Sequence, residues 1–109
     1  MTDRELLQFA AKAAGYEYTQ LAPLLHPKVN WGVCTIDGLW NPLVDDGDAL
    51  RLAVKLGMCV DCVDGSMMVE FFVKDKIKHI GIEIYTDDPY AATRRAIVMA
   101  AAEIGKAML

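Results

Sequence analysis

The residues of this chain whose types and spacing could do chemistry fall into a few groups. Cys59-Val60-Asp61-Cys62 is a CxxC, a spacing at which two sulfurs converge on a metal or a disulfide when the backbone turns between them. Asp45-Asp46-Gly47-Asp48 places three carboxylates within four residues, hard oxygen ligands of the kind that hold Mg²⁺ or Ca²⁺. Trp40, Asn41, Tyr90 and Arg94 offer aromatic faces, an amide and a guanidinium, groups suited to gripping a small ligand. His26, His79 and Cys34 are the remaining metal-ligating types of interest, scattered along the chain. No G-x-S-x-G, P-loop, GxGxxG or HExxH is present, so nothing argues positively for an enzyme and no cofactor is called for.

The elements that would position these groups decide between chemistry and scaffolding. Thr2 and Glu5 form a capping box ahead of a helix over residues 3–14, with Leu6, Phe9, Ala10 and Ala13 at helical spacing and Gly15 to end it. Residues 16–30 read as a long irregular connection interrupted by Pro23 and Pro27. The run from Trp31 to Ile36 reads as a strand, Asp37-Gly38 as a tight hairpin turn into Leu39-Trp40, and Pro42 as the stop of that arm. A second helix is expected from about Asp46 to Leu56, with Gly57 as its cap. Asp64-Gly65 then predicts a hairpin in which Val63 faces Ser66. That register collects Met58, Val60, Cys62, Met67, Val69 and Phe71 on one face, and Cys59, Asp61, Met68, Glu70 and Phe72 on the other. A third strand over 77–85 follows, and Asp88-Pro89 opens a final helix running to about Lys106. The fold class is therefore α+β, a mostly antiparallel sheet with helices packed on it in the order α-β-β-α-β-β-β-α, all in one domain. A layer on both sides of the sheet, or a dimer contact on its second face, would cover the mixed face.

Placed on these elements, most of the candidate chemistry has a plainer reading. On one extended strand two cysteines three apart point to opposite faces, so Cys62 is expected in the core and Cys59 on the outer face. A zinc set would need Cys34 and a histidine to join them. Asp45, Asp46 and Asp48 fall where the second helix begins, and capping explains them more simply than a metal does. On the last helix Tyr90, Ile97, Ala101 and Ile104 form the expected buried stripe. Arg94 borders it and should either snorkel along the core edge or pair with an acid of the sheet or of the 45–48 cluster, whereas Arg95 should be a solvated surface charge. Trp40 and Trp31 are core aromatics or a recognition surface.

Composition narrows the function classes. The chain has 109 residues, is 54% hydrophobic and has a formal net charge of −4, which excludes a disordered chain and leaves no basic surplus for nucleic acid. Charges and turn residues interrupt every apolar run before it could span a membrane. The opening residues read as a helix start, and the odd count of three cysteines predicts free thiols in a cytoplasmic setting. Residues 46–106 also follow the α-β-β-β-α order of a double-stranded-RNA-binding domain, against which the acidic charge argues.

Two blocks, WNPLVDDGDALRLA at 40–53 and DPYAATRRAI at 88–97, resemble small phage- and prophage-encoded proteins of the phage alpha-beta-alpha sandwich domain family. The resemblance covers roughly 38–106 and implies a helix–sheet–helix sandwich and a phage accessory role inside a bacterial cell. It carries no catalytic residues across. The expected function is a non-enzymatic binding module for a host or phage protein. A second hypothesis is a protein that sequesters a nucleotide signal in a groove between Trp40, Tyr90 and Arg94. A third is a metal-dependent enzyme using Asp45, Asp46 and Asp48.

Overall fold

A computed structural model of the chain describes residues 1–16, 33–35, 38–63, 65–83 and 88–108. Among these, the order is α1 (Asp3–Ala14), β1 (Val33–Thr35), β2 (Gly38–Trp40), α2 (Asp46–Lys55), β3 (Cys59–Val63), β4 (Ser66–Val73), β5 (Lys76–Glu83) and α3 (Pro89–Ala107). The class is α+β, with one two-stranded ribbon, β1-β2, and one antiparallel three-stranded sheet in the order β3-β4-β5. Trp31, His26 and the rest of the 17–32 connection lie outside the described residues, as does the 84–85 end expected for the third strand.

Local chemistry starts and stops the elements. The Thr2 hydroxyl oxygen accepts the Glu5 N–H at 3.2 Å, and Gly15, at φ +80°, lets the chain turn back so that Tyr16 N–H reaches the Ala11 carbonyl. Asp45 caps α2 and Asp88 caps α3, each carboxylate accepting the N–H three residues on. The β3–β4 hairpin has the register read from the sequence, Val63 opposite Ser66 and Cys59 opposite Glu70. The β4–β5 turn is carried by Lys74 and Asp75, both at positive φ, a two-residue connection of the hairpin type.

The first hairpin corrects its expected register. Val33 pairs with Trp40 and Thr35 with Gly38, so the two residues between the arms are 36 and 37 rather than Asp37-Gly38. A turn at 37–38 would set Val33 opposite Pro42, which has no N–H to give to the ladder.

The packing is layered helix on helix on sheet. Met67, Val69 and Phe71 point from β4 into the core, and α3 lies across them. On its other side α3 meets α1, and here the side chains are small: Ala10, Ala11 and Ala14 against a helix whose Ala100, Ala101, Ala102 and Gly105 are buried. The two helices run in the same direction, since Asp3 pairs with Arg95, Phe9 abuts Gly105, and Lys12 Nζ donates to the Met108 carbonyl. A Cβ on Gly105 would lie 1.9 Å from the Phe9 carbonyl oxygen. The α1 stripe is accordingly rotated from the expected one: Ala14 is buried rather than Ala13, and Phe9 is only partly buried. The α3 stripe also differs, because a helix clamped on two sides buries most of its circumference while its first turn projects beyond both neighbours. Tyr90, expected in the stripe, is 70% exposed.

The second sheet face carries no described helix; Met68, Phe72 and Ile77 stand exposed on it. The expected layer on both sides is thus not seen among the described residues. No described helix is long and apolar enough to cross a membrane.

Two substitutions check this packing. Gly105→Ala is expected to destabilise by about 1–3 kcal/mol through overpacking, read as a fall in Tm. The neighbours Phe71 and Phe72 should behave oppositely in urea unfolding: Phe71→Ala costs about 3–5 kcal/mol, and Phe72→Ala under about 1 kcal/mol.

Candidate functional site

The segment joining β2 to α2 folds on itself before it meets anything else. The Asn41 side-chain carbonyl accepts the Leu43 N–H at 3.0 Å, and its backbone carbonyl accepts from Val44 and Asp45. Asp48 reaches back from the first turn of α2 to accept the Asn41 N–H at 3.0 Å, while its other oxygen takes Arg51 at 3.0 Å. Arg94 crosses from α3 to close the unit. Its Nε donates to the Leu43 carbonyl at 2.9 Å and its guanidinium pairs with Asp46 at 2.6 Å. Most of the Arg94 side chain is covered, 17% exposed, whereas Asp46 stays 73% exposed.

Beside this clamp lies a cavity of about 510 Å³ between α2, α3 and β3. Its walls are Ala49, Leu50 and Ala53 from α2, Val60 and Cys62 from β3, and Pro89, Tyr90, Thr93 and Ile97 from α3, with Asp46 and Arg94 at the rim. The Thr93 hydroxyl donates to the Pro89 carbonyl within its own helix at 2.8 Å, so it is engaged with the backbone beneath it. The result is an apolar groove whose two charged residues neutralise one another.

The expected site residues are therefore partly brought together. Tyr90 and Arg94 share the groove with Asp46. Trp40 does not line it: the indole is 5% exposed and stacks edge-on against Tyr16 at 5.3 Å, as a core aromatic. Asn41 serves the turn. Asp46 turns to Arg94, while Asp45 and Asp48 share Arg51 at 3.9 and 3.0 Å, and among the described residues no group of three His, Cys, Asp or Glu side chains could hold a metal ion. Arg95 is the exposed surface charge expected, and it pairs there with Asp3 at 2.9 Å.

The CxxC needs one correction. Cys59 and Cys62 do sit on opposite faces, but both are exposed, Cys62 included. Its face is the inner one, yet the far end of β3 runs past α3, so the core position opens into the groove instead. Cys34 lies in β1, and His26 lies outside the described residues. His79 pairs with Glu70 across β4–β5 at 3.3 Å.

Sequence reasoning missed Leu50, Val60, Cys62 and Ile97 as one surface. The signal available was on α2, where Leu50 and Val54 stand one turn apart outside the Ala49–Leu52–Ala53 stripe; they are 64% and 73% exposed.

Comparison with protein-family models, curated proteins and solved structures finds no match to this chain.

The clamp has a measurable consequence. Arg94→Ala should cost about 2 kcal/mol, the scale for hydrogen bonds from a charged donor, and Arg94→Lys should restore little because a single ammonium nitrogen does not reproduce donors set on two separate atoms of a planar fork. Asp46→Asn, at the exposed end of the same pair, should cost under about 1 kcal/mol. Urea titration of the three variants reads the difference.

Proposed function

We propose that this chain is a phage or prophage accessory protein of the bacterial cytoplasm that acts by binding a host or phage protein, without catalysis. The two blocks that resemble the phage family support the origin. The observation that carries the binding role is the groove: about 510 Å³ of largely apolar wall, bordered by the exposed Leu50 and Tyr90, with its one ion pair internally satisfied. Apolar walls of this kind gain free energy by leaving water, and clefts of about 300–1,000 Å³ are typical ligand sites. A nucleotide fits less well. Phosphate needs an uncommitted cation, and Arg94 is held by Asp46 and Leu43 among the carboxylates of Asp45 and Asp48. Divalent-metal chemistry fits less well again, since Asp45 and Asp48 each accept a backbone N–H and share Arg51, and Asp46 is paired with Arg94.

The test uses the environment-sensitive dye anilinonaphthalene sulfonate with the two exposed thiols as reporters. The dye should brighten with the native protein and slow iodoacetamide alkylation of Cys62 several-fold while leaving Cys59 unchanged, read by peptide mass spectrometry. Leu50→Lys should abolish both effects. A dye that stays dark, or that leaves Cys62 unprotected, overturns the groove as a binding site.

A further inference from the structure

The groove lies against a sheet edge. β3 pairs with β4 on one side, and among the described residues no strand pairs with its other side. The two edges of this sheet are unequally guarded. β5 and the turn before it carry Lys74, Lys76, Lys78 and His79, all exposed, the charged pattern that keeps an edge from pairing. β3 reads Cys-Val-Asp-Cys-Val, with one charge, Asp61. α2 packs on α3 rather than on the sheet, and the cavity is the space between its Ala49–Ala53 side and the inner residues Val60 and Cys62 of β3. That space is where the inner side chains of a strand laid beside β3 would go.

We infer that β3 is a docking edge, and that the groove is completed by an extended segment of a partner protein added as a fourth strand. This rests on the reading of the groove as a protein-binding site and names the form of the partner. Strand addition supplies affinity through main-chain hydrogen bonds and specificity through alternate side chains. Every second residue of the segment faces into the cavity and must be apolar. The others emerge on the outer face beside the exposed Asp61, on a chain whose net charge is −4. The complementary segment alternates apolar with basic residues. A second copy of this chain lacks that complementarity. Antiparallel β3–β3 pairing about a two-fold axis sets Asp61 opposite or diagonal to its own copy. A helix would fill the cavity but leave the β3 edge unpaired.

The experiment selects peptides of about twelve residues from a random displayed library against the intact protein. Expected are sequences that alternate apolar with Lys or Arg and slow hydrogen exchange of β3 amides when bound. Alternate backbone N-methylation of a selected peptide should weaken it by about tenfold or more, since it removes main-chain donors. Asp61→Lys should weaken binding several-fold without changing Tm. Selected sequences with helical spacing, or binding that leaves β3 exchange unchanged, overturn strand addition in favour of a helix in the groove. Protection of β3 that grows with protein concentration alone overturns it in favour of self-pairing. No enrichment, with Cys62 still shielded by the dye, overturns strand addition while leaving the groove reading intact; loss of the dye's shielding is what removes the latter.

Discussion

The guanidinium of Arg94 is the constraint on which the groove half of the molecule depends. α2 makes little contact with the sheet, so its place is set by α3 and by the turn that precedes it. Arg94 holds both at once, through the Leu43 carbonyl in the turn and Asp46 in the first turn of α2. A backbone carbonyl and a carboxylate in different directions suit a planar cation whose donors are spread over several nitrogens. With that clamp closed, Ala49, Leu50 and Ala53 stand off from β3 by the width of the groove.

The other half is governed by size. Between α1 and α3 the interface is alanine and glycine, and the Phe9 backbone comes close enough to Gly105 that no Cβ fits between them. Small residues let two parallel helices approach, and α3 then takes the central position with a helix on one side and the sheet on the other. A central helix must be apolar on two faces, which is why its buried residues run almost continuously from Ala96 to Ala102. Its first turn escapes this double cover and supplies Pro89, Tyr90 and Thr93 to the groove instead.

Charge is distributed with the same economy. Acids gather at the start of α2, where each has a backbone or guanidinium partner, and lysines gather on the β5 side of the sheet. The sheet therefore has one edge defended by charge and one bordered by apolar wall. Its outer face, with Met68, Phe72 and Ile77, remains a second exposed apolar surface.

Much of this was legible before any coordinates. The N-caps at Thr2, Asp45 and Asp88, the glycine stop at Gly15 and the hairpin register around Val63 and Ser66 depend on neighbours within a few residues, and local rules suffice there. The place of Arg94 beside the apolar stripe left three outcomes, snorkelling, an acid of the sheet or the 45–48 cluster, and the tertiary structure selects Asp46. What the chain could not state by itself is anything set by how far an element extends past its neighbours. Periodicity put Tyr90 and Cys62 on inward faces, and both do face inward, but the helix and the strand overrun the core at those points and leave both residues open. Trp40 is the core aromatic its size favours, covered by Tyr16 across the fold. Direction is a property of sequence spacing, while cover is supplied by residues distant in the chain, so the groove exists only in the tertiary structure.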